Sequence, residues 1–459
     1  MKVHLAGYNV DSSLLSGVSA TPEVISAAYA RISRSEKSIT ELHREALAEI
    51  ERARRSNQSI IFDMGHSSVA EHAVFNLDLI GISRLLVDTV ETVRLASFTE
   101  KSQRYVTFSH DYVIPDELRS PGQAGFLESY TALMDRLFAE YGTCYRALLD
   151  TIRREHPALP KREQEGRAKE DARYILPLST KTQLGMTINA RSLENLLQRL
   201  AEGPLAEADE LFRKIYDPVS RLSPSLVRYP GKRHYSGTFG RCPGIPTDLE
   251  SHKDSLRVMA HTPDGDDLVL AALLFERSGA PMDQCRSRIA DLGEEQKAEL
   301  WSEVFSGMRP WHKVSRAFEL AYITFEALMS ESCWAQFKRH RMGTMLRQPE
   351  AGNAEVIIPS GIDRIGRSGN WLSLVSEAKE LRTALDPAVS GYARLNLDPV
   401  RVLVKMNLRE LYHFVRLRSD EHAQWEIREL SNALAAKARE IYPRAGSLLC
   451  GKSEFPQKD

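Results

Sequence analysis

Apolar and polar residues alternate through VFNLDLIGIS (74–83), placing Phe75, Leu77 and Leu79 on one side of an extended chain. That pattern predicts a half-buried strand. TPEVISAAYARIS (21–33) is apolar at helical spacing behind a Thr-Pro start, which predicts a helix. GMTINARSLENLLQRL (185–200) reads as a short strand, an Asn-x-Arg and then a helix. Each pattern has an echo. KVHLAGYN (2–9) returns as RVMAHTPD (257–264), and the first helix returns as GDDLVLAALLFER (265–277). VFNLDLIGIS returns as AYITFEALMS (321–330), and the strand-Asn-helix unit returns as LVKMNLRELYHFVRLR (403–418). The chain therefore reads as two homologous domains in tandem, 1–222 and 254–459, with a Gly-, Pro- and Ser-rich linker at 223–253. Strands and helices mix without βαβ alternation, so the expected class is α+β. The first half is the longer, and its surplus at 148–172 reads as a charged, solvated helix.

Composition narrows the function. A chain of 459 residues with 42% apolar and 27% charged residues is expected to form soluble globular domains, two of them by length. A net charge of −1 argues against a general nucleic-acid coat. No stretch approaches a membrane span and the N-terminus lacks a long apolar run, so no membrane partner and a cytoplasmic location are expected. Cys144, Cys242, Cys285, Cys333 and Cys450 are widely spaced, without a CxxC, and read as free thiols in a reducing compartment, not a zinc site.

Four stretches carry candidate chemistry. GHSSVAEH (65–72) gathers two histidines, a glutamate and two hydroxyls, but its spacing is not the HExxH of a zinc helix. A polar turn capping the next element is the other reading. In ASFTEKSQRY (96–105), Glu100, Ser102 and Arg104 alternate, so an extended backbone would aim them together at a phosphate or a carbonyl edge, or else towards solvent. ARYILPL (172–178) and NARSLEN (189–195) add Arg173, Asn189, Arg191 and Asn195. In FKRHRMGTMLRQPE (337–350), Arg339, His340 and Arg341 need anionic partners if buried, unless the triplet is a solvated basic turn. On a helix, adjacent members would point about 100° apart and serve two ligands.

Together GHSSVAEH, ASFTEKSQRY, ARYILP and NARSL, with RHR (339–341), NLRELYHFVRLR (407–418) and AQWEIR (423–428), resemble the flavin-dependent thymidylate synthases (ThyX), found twice in order. The resemblance implies two ThyX-like repeats, each a mainly antiparallel sheet packed with helices. It implies methylation of C5 of dUMP to give dTMP, with FAD as cofactor and methylenetetrahydrofolate and NADPH as co-substrates. It places Arg418 and Ser102 in catalysis. Gln336, Arg339, Glu100, Ser102, Gln103, Arg104, Arg173 and Arg418 would hold the nucleotide. His66, Ser68, Glu71, Arg339, His340, Arg341, Asn407, Arg409, His413, His422, Asn189, Arg191 and Asn195 would hold flavin or folate.

The two halves depart from the family pattern in complementary ways. In the first, the triplet position reads Thr92-Val93-Arg94, and the AQWEIR position reads LAEGPLAEADEL. In the second, the Glu, Ser and Arg of the downstream motif become Arg347, Pro349 and Ala351, and His413 stands where the family has Asn. Division of labour after duplication is the expectation, with a homodimer mimicking the family's tetramer and composite sites built from both repeats. Modification of C5 on another pyrimidine nucleotide, or flavin and nucleotide binding without catalysis, are the alternatives.

Overall fold

A computed structural model describes residues 1–11, 21–32, 35–227, 231, 254–349, 351 and 354–456. Most of the expected linker, all of it but 223–227 and 231, lies outside the described residues. The contacts divide the chain into two compact units, Met1–Ile245 with Ile358–Asn396, and Pro246–Ile357 with Leu397–Asp459.

In the first unit β1 (Lys2–Tyr8), β2 (Val74–Ser83), β3 (Ala96–Glu100) and β4 (Lys181–Asn189) form an antiparallel sheet in the order β1-β2-β4-β3. Phe75, Leu77 and Leu79 on β2 are buried, as their alternation requires. They meet Leu184, Met186 and Ile188 of β4, whose alternation has the same phase. Against this face pack α4 (Arg84–Glu91), α7 (Ala190–Glu202) and α8 (Ala206–Leu222). A second cluster joins α1 (Glu23–Ile32), α2 (Ile39–Ala48) and α3 (Ile50–Gln58).

The long α5 (Ala124–Glu155) packs against α6 (Lys161–Ala172), and also against α13 (Ser360–Arg364) and α14 (Ser368–Ala384), which the short α15 (Pro387–Ser390) follows. Thus 358–396, which belongs to the second repeat by sequence, clusters with the first unit. The indole N–H of Trp371 donates to Cys144 Sγ at 3.3 Å, and Arg367 Nε to Glu140 at 3.0 Å. The segment 148–172 is not a solvated helix. It is the end of α5, a turn and α6, which buries Gln164, Ala168, Lys169 and Ala172. Its charge pattern hid a narrow apolar stripe of alanines, supported by the buried stem of a lysine.

The second unit repeats the sheet. β5 (Leu256–His261), β6 (Tyr322–Ser330), β7 (Thr344–Arg347) and β8 (Pro399–Asn407) run antiparallel in the order β5-β6-β8-β7. Its core is closed by α9 (Gly265–Arg277), α10 (Met282–Ala290), α11 (Glu294–Val304), α12 (Glu331–Phe337), α16 (Leu408–Arg418) and α17 (Trp425–Ile441). The expected α+β class and tandem arrangement are both present. Corresponding caps fix the correspondence between the repeats. Ser83 Oγ accepts from Leu86 N, and Ser330 Oγ from Cys333 N, both at 3.0 Å. Each cap serine also gives its own N–H and hydroxyl to a buried carboxylate, Glu207 in one unit and Glu426 in the other.

Candidate functional site

In the first unit, β3 ends at Glu100 and the next residues turn. Ser102 Oγ accepts from Arg104 N at 3.1 Å, so Glu100, Ser102 and Arg104 do not share one extended face as alternation predicted. The short hydroxyl of Ser102 offers the backbone a local partner, which closes the turn. The turn still gathers the expected residues around Arg173. Glu100 accepts from Arg84 Nη1 at 2.6 Å, and Arg104 Nη2 donates to Glu170 at 3.1 Å. Asn396 donates through one amide nitrogen to Gln103 Oε1 at 3.0 Å and to the Arg173 carbonyl at 2.8 Å.

Arg173 is the notable member. Its side chain is buried, and Nε and Nη2 have no hydrogen-bond partner among the described residues. Burial holds its pKa below the usual guanidinium range, and Arg104 and Arg84 add like charge. Gln103 Nε2 is buried without a partner as well. Such donors suit an anion with several acceptor oxygens.

GHSSVAEH bends at Gly65 and His66 and then forms a 3-10 helix, Ser67–His72, leading into β2. Gly65 sits at φ +76°, a conformation that favours glycine, and His66 and Ser68 are exposed. Glu71 pairs with Arg191 at 2.6 Å, while Asn189 caps α7 by accepting from Ser192 N at 2.8 Å. Asn195 is exposed on α7.

In the second unit the basic triplet is not helical. Helix α12 ends at Phe337, and 339–341 lie in the turn before β7. Arg339 is exposed, Arg341 half-buried and His340 buried. His340 Nε2 accepts from Arg418 Nε at 3.0 Å, and Arg418 Nη2 donates to the Gln336 carbonyl at 3.3 Å. Burial, with the charge of Arg418 and with His413 nearby, holds the His340 pKa well below the ordinary histidine value. The imidazole is therefore neutral at pH 7, and the 3.6 Å approach of Nδ1 to Glu410 is not an ion pair there.

A cavity of about 530 Å³ opens beside this cluster and brings together the expected Asn407, Arg409 and His413. Asn407 caps α16 by accepting from Glu410 N at 2.8 Å, and Arg409 pairs with Glu319 at 2.8 Å. Sequence reasoning missed Glu410, Arg416 and Lys452 on the same wall. Arg416 Nη1 is buried without a hydrogen-bond partner. With Lys313, Arg409 and Lys452 it makes a cationic lining that fits the pyrophosphate of a dinucleotide. His422 lies on an exposed turn beyond α16. A larger apolar cleft of about 970 Å³ between α9, α10 and α11 shares His312 and Lys313 with the cavity.

The family model described as thymidylate synthase complementing protein matches residues 14–225 and again 257–444. The chain belongs to that family. A UPF0159 protein of Thermoplasma acidophilum is 22% identical, and the match covers 89% of this chain and 90% of that protein. The flavin-dependent thymidylate synthase of Clostridium tetani is 27% identical over 48% of this chain and 86% of its own. A crystal structure of the Helicobacter pylori ThyX with FAD and dUMP covers 50% of this chain and 100% of its own, at 18% identity and a TM-score of 0.32.

The duplicated caps show a correspondence that the motifs hide. Glu207 in LAEADEL does the work of Glu426 in AQWEIR, so that segment persists in the first repeat in altered dress. The pair Arg84–Glu100 recurs as Glu331–Arg347 with its charges exchanged, the partners 16 residues apart in both. Where the first repeat has Arg173 at the head of a short turn, the second has Gly391, with the Leu85 side chain lying against it.

Proposed function

We propose that this protein is a flavin-dependent thymidylate synthase-like enzyme of the cytoplasm that methylates C5 of dUMP to dTMP, using methylenetetrahydrofolate, FAD and NADPH. The reading rests on one observation above the others. Arg173 buries a guanidinium with two unpartnered nitrogens in the repeat that kept Glu100, Ser102, Gln103 and Arg104. The other repeat kept Gln336, Arg339, His340, Arg341 and Arg418. Each half retains what the other lost, so the working site is composite and the active species is a homodimer.

In this mechanism Arg173, Arg104 and Gln103 hold the nucleotide phosphate, and Glu100 and Ser102 fix the turn that presents them. Arg418 donates N–H groups to the pyrimidine carbonyl oxygens, where negative charge accumulates as C5 becomes nucleophilic. A guanidinium fixed at both Nε and Nη2 does this without reorganising. Asn407, Arg409, His413 and Arg416 hold FAD, with Lys452 and the triplet arginines at its phosphates. His66, Ser68, Glu71 and His422 lie along the approach of flavin or folate, and Asn189, Arg191 and Asn195 are the first repeat's counterparts. Reduced flavin supplies the hydride when bound.

The test is formation of dTMP from dUMP by the purified, flavin-loaded protein, with Arg339→Ala and Arg104→Ala assayed singly and mixed. Both single variants are expected to be inactive, and mixing is expected to restore part of the activity. Binding of dUMP and FAD without turnover would favour another pyrimidine nucleotide as substrate. His413 motivates that second reading, since it lines the cavity where the family has Asn.

A further inference from the structure

Two groups near the cavity are each incomplete in a way the other completes. His340 Nδ1 is buried and has no hydrogen-bond partner among the described residues. Because Nε2 accepts from Arg418 Nε, the ring proton of the neutral imidazole sits on Nδ1. The Glu410 carboxylate is buried on α16, and among the described residues no lysine or arginine pairs with it. Its Oε1 stands 3.6 Å from His340 Nδ1. A side-chain adjustment of about 0.8 Å would bring the two to hydrogen-bond length.

Helix capping does not require a carboxylate at 410. Asn407 caps α16 through the backbone N–H of Glu410, and the equivalent cap in the first repeat uses the backbone N–H of Ser192, at 2.8 Å in both. A serine there is too short to reach an imidazole across the same gap. The first repeat has Val93 at the His340 position and so nothing to reach for.

We propose that Glu410 is a positioning residue for the nucleotide site: it takes the Nδ1 proton of His340 in a hydrogen bond, fixes the tautomer whose Nε2 accepts from Arg418, and so fixes the Arg418 guanidinium. The proposal rests on the nucleotide reading given above. It makes His340 an anchor for Arg418 and leaves flavin contact to its neighbours. The groups facing the pair are Arg418 and His413, both on α16, with the Phe414 ring edge-on to the imidazole at 4.8 Å. Burial raises the Glu410 pKa, with His413 drawing it back.

The experiment uses full-length protein labelled with 15N-histidine, with the His340 signals assigned from a His340→Gln sample. Long-range proton–nitrogen correlation at pH 7 reports which nitrogen carries the proton. Wild type is expected to show the Nδ1–H form. Glu410→Gln, whose amide oxygen still accepts, is expected to keep it, with dUMP affinity within about threefold of wild type. Glu410→Ser is expected to mix the tautomers and weaken dUMP about tenfold. An Nε2–H wild type overturns the proposal before any variant is made. So does Glu410→Ser with the tautomer retained, or with the tautomer lost and dUMP affinity unchanged. If wild type does not bind dUMP, the nucleotide reading falls, and the His340 signals across the 410 series still decide whether Glu410 sets the imidazole.

Discussion

Replacing Arg173 with methionine should make the ligand-free protein more stable while removing its affinity for nucleotide. The wild-type guanidinium is buried, with Nε and Nη2 unpartnered among the described residues. Each such buried donor costs about 1–3 kcal/mol, so the pair sets a range of about 2–6 kcal/mol. Attraction to Glu170 offsets part of that, repulsion from Arg104 and Arg84 adds to it, and methionine keeps most of the apolar stem. Asn396 bonds the main-chain carbonyl of Arg173, so that contact survives the substitution. A net gain of about 2 kcal/mol corresponds to a thermal midpoint about 3 °C higher for a unit of this size. Adding dUMP at 100 times its Kd should reverse the order, since wild type then gains about 2.7 kcal/mol and the variant gains nothing. Thermal unfolding of both proteins with and without dUMP measures all four values. An Arg173→Met protein that melts below wild type without nucleotide would refute the view that this arginine is held in the fold for a ligand.

Arg84→Glu should destabilise the first unit by about 3–5 kcal/mol, because it opposes two carboxylates in a nearly buried pair, and adding Glu100→Arg should recover most of that loss in urea unfolding. The double variant should still bind no dUMP, as read by calorimetry. Because the His340 pKa is depressed in the folded state, its stabilising contribution is present above the unfolded value near 6.5 and is lost as pH falls towards the folded value. Between pH 6.5 and 5.5 wild type should therefore lose about 1 kcal/mol more than His340→Asn, measured by urea midpoints. Arg416→Leu should weaken FAD about tenfold or more, seen as faster flavin loss in gel filtration, since it removes a charged donor from the cavity wall.

The alternation of β2 and the strand-Asn-helix order at β4–α7 and β8–α16 were legible because side-chain period and the residues that open a helix are local properties. The cluster of Glu100, Gln103, Arg104 and Arg173 was legible only through the motif resemblance, and the geometry behind it was not, because a serine hydroxyl closed the turn that alternation read as extended. The basic triplet was misplaced on a helix because nothing in KRHR distinguishes a last turn from the loop after it. Glu410 escaped notice because its role depends on a histidine 70 positions earlier in the chain, a distance at which sequence pattern carries no signal. Glu170 escaped for a similar reason, sitting in a segment that reads as solvated charge.

The exchanged ion pairs also bear on the inheritance of the duplication. Recombination between two copies of one gene tends to overwrite one with the other and erase their differences. Here, copying the first repeat over position 331 would set an arginine against Arg347, two cations where the fold expects a pair. Copying the second over position 84 would set two acids together at Glu100. A tract that replaced only one partner would set like charges together, so the two copies would have to exchange both positions at once to keep the pair.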